Sequence, residues 1–305
     1  MNCPICDHRE FWQLPATHDA QVEHLCALEG DDADHSWRLC RGCGNAYPSN
    51  PPNLRVLQKL WTLNRTDDGA APGEKLAIWT YRRAIAKAGA ARSYRLFAPL
   101  APKVKGRFLD IACGLGETVR TFAAQGWDAE GIDADPSTAP IHREIGIRTR
   151  IGQFEECEIG TSYDIIHIAH AIYFITDPIK FMRLVRERLV TDGLFCIVLA
   201  DFLANADQAL PGYIHTFFPT SRSMRYALAL AGFETVICKR KSGSIFIAAR
   251  PAQKPAMPHV WPAGILFLYR TKPLRYALLG RPYLLLRRAA KLLIDRTGWS
   301  RLASR

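Results

Sequence analysis

The sequence contains no long apolar run. Its first ten residues include Asp7, Arg9 and Glu10, whereas a secretory signal peptide needs a continuous apolar core of about seven to fifteen residues. The longest apolar stretch, 261–269, is far shorter than the roughly 20 residues that cross a bilayer as a helix. We therefore expect neither a signal peptide nor a transmembrane helix, and we expect a cytoplasmic protein.

Acidic residues are almost absent from the carboxy-terminal segment. Residues 251–305 hold eleven Lys and Arg against one acid, Asp295, which gives this segment +10 of the chain's net charge of +11. Residues 1–250 are nearly neutral, so their charge predicts no nucleic-acid footprint. Leucine runs alternate with Arg287, Arg288 and Lys291. Two interpretations stay open: 261–305 lies peripherally on an anionic inner membrane surface, or it packs on the body with its charge solvated.

The glycine-rich turn lacks the third glycine of a dinucleotide-binding motif. Residues 108–118 read FLDIACGLGET, and Val119 stands where G-x-G-x-x-G requires a glycine. A hydrophobic strand, a tight turn and a helix start still provide free backbone N–H groups. A second strand ends at Asp133, a position from which a carboxylate accepts hydrogen bonds from both ribose hydroxyls. The two motifs together indicate an adenosine ligand.

Apolar strands alternate with helical patterns after residue 107. The predicted strands are 107–111, 129–132, 147–151, 164–169, 194–199, 234–239 and 244–249, and the predicted helices are 117–125, 179–189 and 221–231. Such alternation predicts an α/β fold with a doubly wound, mainly parallel sheet. Two helical segments, 54–61 and 76–97, precede it as a linker or cap. Ligands are expected at the carboxyl ends of the strands.

Four cysteines at the amino end have the spacing of a metal site. Cys3 and Cys6 form one C-x-x-C pair, and Cys40 and Cys43 form a second. Two such pairs place four thiolates tetrahedrally on one zinc ion. Because four thiolates leave no open coordination position, the Zn²⁺ is expected to be structural.

The strand-turn-helix motif and the acid after the second strand resemble those of class I S-adenosylmethionine-dependent methyltransferases. The resemblance covers about 101–250, and it implies a Rossmann-like seven-stranded methyltransferase sheet with S-adenosyl-L-methionine as methyl donor. The implied contacts are Asp110, Ala112, Cys113, Gly114 and Gly116 at the methionine end, Asp133 with the adjoining Ala134 at the ribose, and Gln153 and Phe154 at the adenine.

The resemblance continues through 163–178, the fourth strand and its loop, and through a turn at 192–193. It implies that His170 lies at the donor methyl. His170, Tyr173 and His215 are the candidate catalytic residues, with purely structural roles as the alternative. Ala112 replaces a usual glycine, and Tyr173-Phe174 stand where sugar C-methyltransferases of similar layout carry Glu-His. Methylation of carbon is thereby disfavoured. His167 is expected to be a core histidine.

The amino-terminal cysteines are also similar to a zinc-binding segment found ahead of the methyltransferase domain in sugar-modifying enzymes. No Asn-Pro-Pro-aromatic tetrad follows the fourth strand, which disfavours methylation of nucleobases. We expect methyl transfer to a small-molecule acceptor, saccharide-like or lipid-linked, with O-methylation favoured over C- or N-methylation. The alternatives are an RNA or protein methyltransferase, and a non-catalytic nucleic-acid-binding protein on a methyltransferase scaffold.

These expectations divide the chain into four parts. They are a zinc-binding module or zinc ribbon at 1–50, a helical linker or cap at 51–100, the methyltransferase domain at 101–250, and a basic amphipathic helical tail at 251–305.

Overall fold

The first fifty residues form a small antiparallel sheet in the structure, a computed structural model that describes residues 2–20, 22–62, 72–103, 105–204, 210–241 and 243–280. In chain order the elements are β1 (Phe11–His18), α1 (Glu23–Leu28), β2 (Asp34–Cys40) and β3 (Ala46–Pro48), with β2 in the centre. The sequence analysis did not predict these strands. β1 contains Pro15 and a register shift between Gln13 and Ala16, which break its alternating pattern.

Two helices follow, as the apolar spacing predicted. They are α2 (Leu54–Thr62) and α3 (Pro72–Phe97). α3 begins before the predicted start at residue 76, because proline fits the first position of a helix, where its missing N–H is not needed.

A mixed seven-stranded sheet with helices on both faces confirms the predicted Rossmann-like fold. Its elements are β4 (Arg107–Ile111), α4 (Glu117–Ala124), β5 (Asp128–Asp133), α5 (Ala139–Glu144), β6 (Arg148–Ile151), β7 (Tyr163–Ala169), α6 (Pro178–Arg188), β8 (Leu189–Ala200), α7 (Ser221–Leu230), β9 (Phe233–Lys241) and β10 (Ser244–Pro251). The strand order is β6-β5-β4-β7-β8-β10-β9; β10 is antiparallel to both of its neighbours, β8 and β9, and the other neighbouring pairs are parallel.

Alternate residues of the central strand β4 face the two layers of helices. Leu109 and Ile111 pack in one core with residues of α6 and α7. Phe108 packs in the other core with α3 and α4, where its ring stacks on Phe122 at 3.7 Å between centroids. Asp110 has the same parity as Phe108, so its side chain is directed towards the α3 layer.

The predicted turn at 192–193 is wrong, because these residues lie inside the long strand β8. The pairing of β7 with β8 shifts between Tyr163 and Ile165, whose partners are Leu189 and Leu194. The residues between these two partners bulge out of the ladder, so the strand continues where a turn was expected.

The amino-terminal module packs on the body of the protein. Ala46 of β3 exchanges backbone hydrogen bonds with Phe218, the loop residue that precedes α7. Trp37 and Leu39 of β2 are fully buried in a core that also contains Phe202. The module therefore buries its apolar face against the larger sheet domain rather than within itself.

The described part of the tail also packs on this module. It contains α8 (Pro262–Arg270), α9 (Lys272–Arg275) and a π-helical turn (Tyr276–Gly280). Ile265 and Tyr269 of α8 are buried beside Trp37, and a Cβ added at Gly44 would collide with Ile265. Packing on the body is thus confirmed for this stretch, while 281–305 lie outside the described residues. No helix within the described ranges combines the length and apolar character needed to span a bilayer.

Candidate active site

A cavity of about 640 Å³ opens at the carboxyl ends of β4, β5, β6 and β7. This edge of a parallel sheet is the usual ligand position in doubly wound folds. One side of the cavity is formed by the turns after these strands. Leu54 and Leu57 of α2 and Arg82 of α3 contribute a second side. The sequence analysis missed these three residues, because helical periodicity predicts that a helix has a buried face but not what that face covers.

The turn after β4 has a left-handed backbone at three alternate residues. The φ angles are +55° at Ala112, +53° at Gly114 and +73° at Gly116. Ala112 and Gly114 line the cavity. Left-handed φ costs an alanine roughly 1–2 kcal/mol more than a glycine, which explains why glycine is usual at position 112. Ala112 therefore fits sterically but with local backbone strain.

The carboxylate of Asp133 joins the turns after β4 and β5. Its Oδ2 accepts a hydrogen bond from the Gly114 N–H at 2.7 Å, and its Oδ1 accepts one from the Asp135 N–H at 2.9 Å. Each carboxylate oxygen keeps a second lone pair for a ligand. Burial raises the pKa of Asp133 above its ordinary value. Asp133, Ala134 and Asp135 all line the cavity, and Asp135 also caps the next turn by accepting a hydrogen bond from the Ser137 N–H.

Gln153 and Phe154 follow β6 and line the same cavity. Phe154 is buried, and its ring makes an edge-to-face contact with Phe181 of α6 at 5.3 Å between centroids. A ring fixed from behind in this way offers a rigid apolar wall for a planar ligand.

Three residues of the predicted donor set do not line the cavity. The buried Asp110 carboxylate pairs with His167 Nδ1 at 2.6 Å, and His167 Nε2 contacts Ser93 Oγ of α3 at 3.1 Å. Cys113 lies beneath the turn, 4.0 Å from the His142 ring nitrogen, and Gly116 is the N-cap residue that precedes α4. Alternation along β4 directs the Asp110 side chain towards the α3 layer, so the expected contact of Asp110 with the donor stays a prediction.

His167 is a fully paired core histidine, as predicted.

The three candidate catalytic residues lie next to one another, and His170 is the one of the three that lines the cavity. The Tyr173 hydroxyl is 3.4 Å from His170 Nδ1, and the Tyr173 ring stacks on His215 at 4.6 Å between centroids. His170 has a left-handed φ of +54°, and its N–H donates to the Val198 carbonyl at 2.7 Å. Burial lowers the pKa of His170, and burial lowers that of His215 to about 4. Both imidazoles are therefore neutral near pH 7.

Phe174 also lines the cavity, and its ring contacts both Tyr173 and His215 edge-on. Asp177, the nearest acid along this loop, caps α6 by accepting from the Lys180 N–H at 2.9 Å. Within the described segment 170–176, no carboxylate lines the cavity, so His170 is the titratable group that this segment presents there.

The four predicted metal ligands come together in the structure. The sulfur atoms of Cys3, Cys6, Cys40 and Cys43 lie within 4.8 Å of one another. Two of the separations, Cys3 to Cys43 and Cys6 to Cys40, are 3.6 Å and 3.5 Å. Zn–S bonds of about 2.3 Å in a tetrahedron require similar distances between sulfurs. The Gly42 N–H also donates to Cys40 Sγ at 3.3 Å, which favours the thiolate. The residues fit a zinc ion.

The fold and the cavity define a doubly wound α/β protein with a cavity at the carboxyl ends of its parallel strands. Residues 79–237, just over half of the chain, match the family model of a methyltransferase domain. The chain therefore belongs to this family and is a class I S-adenosylmethionine-dependent methyltransferase. No curated protein matches it by sequence.

Several solved methyltransferase structures are similar to part of the chain. The CcbJ methyltransferase from Streptomyces caelestis has 15% sequence identity over 55% of this chain and 89% of its own, with a TM-score of 0.45. The glycopeptide N-methyltransferase MtfA has 14% identity over 53% and 94%, with a TM-score of 0.44. A TehB-like S-adenosylmethionine-dependent methyltransferase from Corynebacterium glutamicum has 18% identity over 60% and 100%, with a TM-score of 0.45.

Proposed function

We propose that the enzyme methylates a small saccharide-like or lipid-linked acceptor, with an oxygen atom favoured as the methylated atom. The observation that carries this proposal is that Asp133, Phe154 and His170 all line the same cavity. A volume of about 640 Å³ is within the range of cavities that hold small ligands. A macromolecular acceptor would have to insert one unit into the same space.

We assign the donor contacts to residues that line the cavity. Asp133 accepts hydrogen bonds from the ribose hydroxyls, with Ala134 beside it. Gln153 and Phe154 hold the edge and face of the adenine. The backbones of Ala112 and Gly114 bind the methionine end. Asp110, Cys113 and Gly116 support the turn without touching the donor.

We assign His170 as the residue that orients and deprotonates the acceptor. The bound donor supplies an electrophilic methyl carbon on a sulfonium; the acceptor atom bonds to that carbon while the C–S bond breaks and its electron pair remains on sulfur. Held neutral by burial, His170 accepts the acceptor's proton on Nε2 when its Nδ1–H donates to the Tyr173 oxygen. Tyr173 and His215 are positioning residues, since neither lines the cavity.

We favour oxygen as the methylated atom because one neutral imidazole, that of His170, is a sufficient base for a hydroxyl group. Removing a proton from carbon calls for a stronger base, which the Tyr173-Phe174 pair does not provide. Phe174 instead offers an apolar surface on which an acceptor ring packs.

We propose that Cys3, Cys6, Cys40 and Cys43 bind one structural Zn²⁺. The ion joins the start of the chain to the loop between β2 and β3. The four-part division into module, linker, methyltransferase domain and tail accompanies this proposal. In it, the module and the helical linker cover the acceptor side of the cavity, and Leu54 and Leu57 of α2 support that arrangement.

The acceptor class is tested with donor carrying a radiolabelled methyl group. The full chain and its His170→Gln variant are incubated with separated small-molecule, lipid, RNA and protein fractions of cells. We expect His170-dependent label in the saccharide or lipid fraction, in an ether that survives mild base. Label in RNA or protein would overturn the proposed acceptor, and label bonded to carbon or nitrogen would overturn the preference for oxygen.

A further inference from the structure

An apolar face with basic residues lies exposed along the described part of the tail. Six of the twelve exposed large apolar side chains in the described ranges fall between residues 257 and 278. Ala263, Phe267, Arg270, Leu274 and Leu278 are all exposed, and they are spaced four, three, four and four residues apart. This spacing places them along one side of the helical segment 262–280. We call these five residues the outer face.

The outer face is distinct from the face that docks on the protein. Ile265, Tyr269 and Lys272 are buried, and the Lys272 ammonium donates to the Phe202 carbonyl at 3.0 Å. The segment is therefore held firmly by one face, while Phe267 and Leu278 on the other face are each 63% exposed. Solvation of apolar side chains to this extent, in series, is unfavourable unless another surface covers them.

Trp261 extends the outer face at the start of α8. A Cβ at Gly264 would collide with the Trp261 ring, so the indole lies against the first helical turn with 59% of its surface exposed. Rigid, half-exposed tryptophans are enriched where protein meets the headgroup layer of a bilayer, because the ring is apolar and its N–H is polar.

We propose that the outer face and Trp261 bind the surface of an anionic lipid bilayer. Three surfaces can cover the outer face: a bilayer, a second copy of the chain, or the chain's own residues 281–305. Charge favours the bilayer. Residues 251–305 carry eleven Lys and Arg and one acid. A second copy of the chain, or the chain's own residues 281–305, would bring further positive charge against a segment that is already basic. An anionic membrane complements the same charge, and long basic side chains reach its phosphates while their stems lie among apolar residues. This binding does not depend on the acceptor being lipid-linked.

The test is co-sedimentation of the full, zinc-loaded chain with vesicles of phosphatidylcholine and with vesicles that also contain phosphatidylglycerol. The variant combines Phe267→Ser, Leu274→Ser and Leu278→Ser. A matched control replaces three equally exposed apolar residues elsewhere, Leu28→Ser, Tyr81→Ser and Ile85→Ser. Circular dichroism melting verifies that both variants fold.

We expect the intact chain to bind the anionic vesicles, to bind the neutral vesicles far less, and to dissociate as salt is raised. The outer-face variant should lose at least about tenfold in partition coefficient, because three apolar side chains no longer enter the interface. The control should stay within about twofold. Equal binding by the outer-face variant would overturn the proposal and assign the affinity to basic charge alone. Absence of binding by the intact chain would overturn it as well. If light scattering then shows a dimer that the variant converts to a monomer, the occupant is a second copy.

Discussion

Burial lowers the pKa of His170 below its ordinary value of 6.5, so its imidazole is neutral near pH 7. If neutral His170 accepts the proton of the acceptor, kcat should be constant above about pH 6.5 and fall as the pH drops through the lowered pKa. His170→Gln should reduce kcat about a hundredfold and abolish this acid limb, with donor affinity unchanged. Steady-state rates across the pH range, measured on the acceptor fraction that takes the label, provide the check.

Tyr173→Phe is the matched variant for this prediction, because it removes the hydroxyl near His170 Nδ1 and keeps the ring stacked on His215. We expect a smaller loss of kcat, about tenfold or less, and a shifted acid limb. If His170→Gln retained full activity and the same pH profile, the assignment of His170 as base would be wrong.

Substitutions of Asp110 and Asp133 are predicted to affect different properties: the first lowers stability, and the second weakens donor binding. Asp110→Ala leaves the buried His167 without its carboxylate partner, which should lower the free energy of unfolding by about 2–3 kcal/mol. Because Asp110 does not line the cavity, the donor Kd should change by less than about threefold. Urea unfolding and donor titration of the same preparation measure the two quantities. A large loss of donor affinity without a loss of stability would instead place Asp110 in direct contact with the donor.

Removal of the metal should destabilise the two loops that contain the cysteine pairs. The intact chain should contain about one zinc ion, and Cys43→Ser should lose it. The melting temperature should then fall by about 5 °C or more, because the loops lose the ion that binds them together. Metal content is measured by mass spectrometry and melting by circular dichroism.

Cys26→Ser is the control for the metal prediction, since Cys26 is also buried but lies outside the four-cysteine cluster. It should retain the zinc. An intact chain that contains no zinc, or a Cys43→Ser variant that keeps it, would contradict the metal assignment.

Among the secondary-structure elements, strands could be predicted from the sequence where the pattern of apolar residues within the strand itself indicates them. Six of the seven strands of the large sheet were predicted within two residues of their observed bounds, whereas β8 begins five residues before its predicted start. The strands β1, β2 and β3 of the small sheet were not predicted. Pro15 and a register shift interrupt the alternation of β1, and Ala46 of β3 has one of its partners, Phe218, far along the chain. The bulge at 190–193 in β8 was read as a turn because Asp192-Gly193 favours both.

The candidate site was predictable to a similar extent. Asp133, Gln153 and His170 line the cavity, as expected for residues that follow parallel strands. Arg82 was missed because sequence predicts the periodicity of a helix more readily than the direction in which each of its faces points after packing.

At the scale of the whole molecule, the amino-terminal module, the large sheet domain and the tail are joined by shared hydrophobic cores. The cysteine cluster is packed in the same core as residues of α6 and α7, and α8 packs on β2. α2 and α3 place Leu57 and Arg82 at the cavity. Val56 of α2 also packs with Cys26 of α1, so loosening the module should reach the active site through α2, and every assay should use the intact chain.

The central claim is that S-adenosylmethionine binds in this cavity with its ribose on Asp133. Calorimetric titration of the intact, zinc-loaded chain with S-adenosylmethionine and S-adenosylhomocysteine tests it, beside Asp133→Ala and the control Asp128→Ala at the opposite, half-exposed end of the same strand. We predict a Kd on the order of micromolar, weakened at least about tenfold in Asp133→Ala through loss of the carboxylate hydrogen bonds and nearly unchanged in Asp128→Ala. Failure of the intact chain to bind either ligand, or equal binding by Asp133→Ala, would contradict the account.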